Sequence, residues 1–156
     1  MEYLNIDKYR SLYGEITAPE FARLEMAARR KLDNLTTGID GVKKLQIAFP
    51  TNEEDVEIVR HCMAALVSLM RTAEHSQKAA QEIVTTENGM HSNVITSISA
   101  GSESIHYASI GSATSAAEYE AMYIRTVKDF LSGIKDANGV NLLYLGRYPY
   151  TVHTTK

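Results

Sequence analysis

The chain has 156 residues, 44% of them hydrophobic and 22% charged, which is the size and balance of one globular domain able to bury its own core. A single cysteine, Cys62, excludes a disulfide framework and a cysteine-rich metal site. No apolar run approaches the roughly 20 residues of a membrane span, and no secretory signal pattern follows Met1. The net charge of −3 argues against a strongly basic nucleic-acid binder and leaves room only for a local basic patch.

In chain order, a short helix is expected from about Ile6 to Tyr13, with Ile6, Tyr9, Leu12 and Tyr13 as its apolar face and Gly14 as its stop. Thr17-Ala18-Pro19-Glu20 then reads as a capping box, with Ile16 and Phe21 at the spacing of a hydrophobic staple. Phe21, Leu24, Ala28, Leu32 and Leu35 follow at helical spacing, with Gly38 as a stop. The opposite face holds Arg23, Arg29, Arg30 and Lys31. A longer helix is expected after Pro50, opened by a second capping box at Thr51-Asn52-Glu53-Glu54. Val56, Val59, Met63, Leu66, Met70 and Ala73 form its stripe, and Cys62, Val67 and Leu69 widen it. A helix apolar over so much of its girth packs on more than one side. The pattern can continue to Val84, giving a rod of ~45 Å.

From Ile83 to Ala117 only Glu87 and Glu103 are charged. Within that Ser-rich stretch, residues 94–99 and 104–108 look like two strands around Ala100-Gly101-Ser102-Glu103, which predicts a β-hairpin inserted at about 85–113. A lone hairpin is marginal in water and needs a partner surface. The last helix is expected to open with a third capping box, Ser115-Ala116-Ala117-Glu118, and to carry Tyr119, Tyr123, Val127, Phe130 and Ile134 along one face. Asp136-Ala137-Asn138-Gly139 ends it with turn chemistry. Beyond it, Leu142-Leu143-Tyr144-Leu145-Gly146-Arg147-Tyr148-Pro149-Tyr150 is too aromatic for a disordered tail and too interrupted for a helix. The reading is a mainly α protein. A short N-terminal helix and three longer ones form a small bundle over residues 1–137, with an inserted hairpin and an extended C-terminal arm over 138–156.

Chemistry is sparse. His61, His75, His91, His106 and His153 never share the spacing that aims two imidazoles at one ion. His61 beside Cys62 reads as a surface imidazole next to a core thiol, because neighbouring helical residues point about 100° apart. No serine sits in a Gly-x-Ser-x-Gly elbow, and no glycine-rich phosphate cradle is present. The acidic runs at Glu53-Glu54-Asp55 and at Glu118 and Glu120 fall at helix starts, where the dipole explains them. The cluster Arg23, Arg29, Arg30 and Lys31, with Lys43 and Lys44 nearby, is either a phosphate-contacting face or the solvated side of an amphipathic helix. No cofactor, metal or catalytic residue is expected. The tyrosines carry more: nine against no tryptophan, with Tyr144, Tyr148 and Tyr150 crowded into the tail, suit an interface.

The order of elements resembles the head–tail connector (adaptor, or head-completion) proteins of long-tailed bacteriophages. The resemblance rests on Tyr9-Arg10-Ser11-Leu12-Tyr13-Gly14, on Pro19-Glu20-Phe21 leading to Leu32-Asp33-Asn34-Leu35-Thr36, on Cys62-Met63-Ala64-Ala65-Leu66, on the segment from Ile98 to Tyr107, and on Leu142-Leu143-Tyr144-Leu145-Gly146. The stretch from Ala73 to Asn93 departs from it, being longer and more polar than the family's usual link.

The resemblance implies a structural virion protein rather than an enzyme. Such a protein forms a ring of itself, commonly of twelve subunits, beneath the portal. The ring extends the DNA channel without reading sequence and meets a stopper or tail-terminator protein. It belongs to the virion neck, and to the host cytoplasm before assembly, with no membrane partner. On this reading Leu142, Leu143, Tyr144, Leu145, Arg147, Tyr148 and Tyr150 form a portal-binding arm. Ile98, Ser102, Glu103, Ile105 and Tyr107 of the hairpin make ring or tail-side contacts. The alternatives are a small helical DNA-binding regulator using the basic face, and another neck protein such as a stopper or tail-completion protein.

Overall fold

The computed structural model describes residues 3–84, 97–100, 103–106 and 115–149, with side chains over 3–78 and 115–149. Five helices lie among them: α1 (Ile6–Tyr13), α2 (Ala18–Thr36), α3 (Lys44–Ile47), α4 (Glu53–Val84) and α5 (Ala116–Leu131). The chain is mainly helical, as expected. Helix α4 is central and packs against α1, α2 and α5, while α2 also meets α3 and α5. Val59, Cys62, Met63, Ala64, Leu66 and Val67 of α4 are all buried, which bears out a helix enclosed on more than one side. At 32 residues it is about 48 Å long. The Tyr119 hydroxyl bonds Ser76 Oγ at 3.2 Å, and Phe130 shares a groove with His61, so α5 runs back along α4. No helix among the described residues is long and apolar enough to cross a membrane.

The helix ends show which local signals operate. Asn5 caps α1 by accepting from the Lys8 amide at 2.8 Å, and Gly14 closes it with a φ of +87°. Ser115 and Glu118 form the expected reciprocal capping box at α5. Thr17 makes no side-chain cap. Pro19 removes one of the amides it would reach, and Glu20 instead holds Arg71 of α4 at 3.0 Å. At α4 the cap is Asn52, one residue later than expected, which accepts from the Glu54 amide at 3.4 Å. Helix α2 is stopped by hydroxyls: Thr36 Oγ1 donates to the Leu32 carbonyl at 2.9 Å and Thr37 Oγ1 to that of Asp33 at 2.6 Å.

The structure departs from the expectation at four points. Helix α5 stops at Leu131 rather than continuing through Ile134, because Gly133 takes a φ of +84° and turns the chain. Ile134 is still buried, delivered by that turn. Helix α3 was not anticipated, since four residues are too few to show a period. The tail through Pro149 is not an extended arm. The Leu142 amide donates to the Ile134 carbonyl at 2.9 Å, Lys135 and Asn141 form an antiparallel bridge, and residues 138–149 fold back on the bundle. The hairpin insertion is not supported as part of this architecture. Of residues 85–113, only the backbones of Ser97–Ala100 and Glu103–His106 are described, as two short antiparallel segments.

Candidate functional site

Lys44 organises the segment that follows α5. It lies in the first turn of α3 and is only 1% exposed. Its Nζ donates to the carbonyls of Asn141 at 3.1 Å, of Leu142 at 2.7 Å and of Tyr144. Burial pushes its pKa down, while the Asp136 and Asp40 carboxylates pull it back up. A buried ammonium is tolerated when its donors are filled and opposite charge is near, and both conditions are met.

A second set of contacts pins the turn that follows α5. The Asp136 carboxylate accepts the amides of Asn138 at 2.9 Å and Val140 at 2.8 Å through one oxygen, and the Tyr148 hydroxyl at 2.6 Å through the other. That hydroxyl also accepts from Asn138 Nδ2 at 2.9 Å. Asp40, in the loop after α2, accepts the Tyr148 amide at 2.6 Å. This bond, first among several, holds the Asp40 carboxyl below the usual carboxylate range. The Ile39 amide donates to the Leu145 carbonyl at 2.8 Å. Gly38 lets the two loops meet, since a Cβ there would strike the Gly146 carbonyl. Gly146 in turn makes room for the Tyr144 ring.

The result is a rigid end with an apolar cap. Ile39 is 85% exposed, Leu145 57% and Tyr144 49%, and the loops that carry them are tied to each other. Exposed apolar side chains carried on two loops that are tied to each other are what an interaction site offers.

The structure divides the residues expected to form the portal-binding arm. Leu142 and Tyr148 are buried in the chain's own core, and Leu143 packs against it. Tyr144, Leu145 and Arg147 stay exposed, and Tyr150 lies outside the described residues. Of the hairpin set, Ser102 and Tyr107 also lie outside them, and Ile98, Glu103 and Ile105 are described as backbone alone. The sequence marks neither Ile39 nor Asp40, and it offers Lys44 only as a neighbour of the basic cluster, whereas the structure buries it. The signal available was Gly38-Ile39-Asp40-Gly41, an apolar residue placed in a turn where no core can claim it.

The basic face is largely consumed by the fold. Arg23 pairs with Glu74 of α4, Lys31 with Glu120 of α5, and Arg29 with Glu25 at 3.4 Å. Cys62 is buried and its thiol is pushed up to about 12 by that burial. His61 beside it is half-buried, and its Nε2 has no hydrogen-bond partner among the described residues. Those residues hold no cluster of three or more His, Cys, Asp or Glu side chains placed to bind a metal.

Comparison with protein-family models, with curated proteins and with solved structures found no match to this chain.

Proposed function

We propose that this chain is a structural connector subunit of a tailed bacteriophage, assembling with copies of itself as an adaptor ring beneath the portal and joining capsid to tail. The observation that carries the reading is the apolar cap of Ile39, Tyr144 and Leu145, held on a clamped frame. Exposed isoleucine and leucine of this extent have no use in the monomer's own core, and a rigid frame lowers the ordering cost of binding. The central helix α4 adds length beyond its tie to α5 at Ser76, a surface for packing on a neighbouring subunit.

In this reading the contact with the portal is made by Tyr144, Leu145 and Arg147 together with Ile39. Leu142 and Tyr148 hold the frame. The sequence segment that carries Ile98, Ser102, Glu103, Ile105 and Tyr107 serves ring or tail-side contacts, next to a stopper or tail-terminator protein. The role needs no catalytic step and no cofactor, and it places the protein in the virion neck. The resemblance of the sequence to adaptor proteins supports it.

The test mixes the purified chain with the portal encoded beside it and images the product by electron microscopy. A ring under the portal is expected for the native chain and none for Ile39→Asp/Leu145→Asp at unchanged melting temperature. No complex with the native chain would overturn the reading, and a ring formed equally by the double variant would move the contact elsewhere.

A further inference from the structure

A groove of about 560 Å³ opens between α2 and the segment that leads into α3. It is separate from the apolar cap. Its lining includes Arg29 and Arg30 from α2, Lys43 from the turn before α3, and Met26, which is 48% exposed. At its base Asp33, buried, accepts the Tyr3 hydroxyl at 2.9 Å and Gln46 Nε2 at 2.6 Å. That volume falls within the several hundred cubic ångströms usual for sites of small organic ligands.

The charges do not cancel within the fold. Arg23 and Lys31, on the same helix, are each spent on a carboxylate of another helix, and Arg29 holds Glu25. Arg30 and Lys43 are exposed and have no ion pair or hydrogen bond among the described residues. Asp33 keeps its charge but makes no ion pair with either, since its two oxygens are bonded by Tyr3 and Gln46, and Arg29, Arg30 and Lys43 together outnumber Asp33 and Glu25. Those same bonds fix Tyr3 and Gln46 as a firm base. The groove therefore has a basic rim and a partly apolar side at Met26.

We infer that this groove binds a phosphate group carried on a small organic body. Guanidinium groups offer forked donors that match phosphate oxygens, and an ammonium adds a point charge. The half-exposed Met26 gives the organic part an adaptable apolar contact. The observation that carries the inference is the convergence of two unspent cations, from two different elements, on one groove with a locked base.

Isothermal titration and amide chemical-shift mapping on the full chain test it, with adenosine monophosphate, inorganic phosphate, adenosine and a short single-stranded oligonucleotide as probes. The expected result is saturable binding of the monophosphate, weaker binding of inorganic phosphate, none of adenosine, and shifts confined to residues around Arg30, Lys43 and Gln46. Arg30→Glu/Lys43→Glu should weaken the monophosphate by about tenfold or more, while Lys128→Glu, the same change on exposed α5, should leave it unaltered. Arg30→Lys/Lys43→Arg should keep most of the affinity. No saturable binding of either small phosphate would overturn the inference. So would an oligonucleotide that binds when neither small probe does, or equal binding by the double charge reversal.

Discussion

Replacing Lys44 with methionine tests whether one buried ammonium holds the C-terminal segment in place. Methionine keeps most of the aliphatic stem, so little cavity is created. What goes is a donor to three carbonyls, those of Asn141, Leu142 and Tyr144. The bond to Leu142 is fully buried, and an orphaned buried acceptor costs about 1–3 kcal/mol. The other two bonds are part-buried and their carbonyls can recover some bonding from water. Asp136 also loses an opposite charge that acts on it. Against these losses stands relief from burying the ammonium, the cause of its lowered pKa. The balance is a loss of about 2–3 kcal/mol. Urea unfolding should show a lower midpoint at unchanged slope, and the amides of Ile39 and Leu142, bonded across this segment, should exchange faster than those of mid-α4. A pH signature accompanies it. Because the folded pKa lies below the ordinary 10.5, the unfolded chain holds more protons between the two values. Stability from this group therefore rises with pH through that window, and the slope should vanish in Lys44→Met. A variant within about 0.5 kcal/mol of the parent, with Leu142 protected as before, would refute the clamp.

Tyr148→Phe removes a hydroxyl that donates to buried Asp136 at 2.6 Å, and should cost about 1.5–3 kcal/mol in chemical denaturation, as for bonds to a charged group; no measurable loss would show that the backbone amides alone satisfy the carboxylate. Glu57, bonded by Lys8 and then Arg60, is held down to about 2. Its stabilising contribution is present above the ordinary carboxylate value and lost as pH falls through the folded one, so Glu57→Gln should flatten the acid limb of the stability profile below about pH 5. Cys62, with its thiol pushed up to about 12, should resist a thiol reagent in the native protein and react in step with urea unfolding; rapid labelling of the native chain would contradict its place in the core.

What the sequence displayed and what it hid divide along contact range. Helices α2, α4 and α5 repeat an apolar residue every three or four positions, and each buries that stripe, so local periodicity was enough to find them. The box at Ser115 was legible because both of its partners lie within four residues. The box at Thr17 was misread because Glu20 has a better partner in Arg71, 51 positions away, and nothing local announces that competition. The tail shows the same limit more strongly. Its leucines and tyrosines read as free contact area, yet Leu142 and Tyr148 are core residues. Their burial depends on Lys44, whose bond to the Tyr144 carbonyl spans 100 positions, and on Asp40, which reaches Tyr148 across 108.

The same long-range contacts decide the shape of the candidate interface. A free arm would present all its apolar residues to a partner and would order only on binding, at an entropic cost. The folded tail presents fewer, Tyr144 and Leu145, but joins them to Ile39 from a loop remote in sequence. An interface assembled from two tied loops is small and preorganised. Loosening the tie should weaken binding even when every contacting side chain is kept. Lys44→Met is therefore expected to reduce capture by the portal although Lys44 itself is buried, and Ile39→Asp/Leu145→Asp to abolish it without moving the unfolding midpoint. If Lys44→Met lost the protection of Leu142 yet bound the portal unimpaired, the preorganised end would not be the binding surface, and the contact would have to lie along α4 instead.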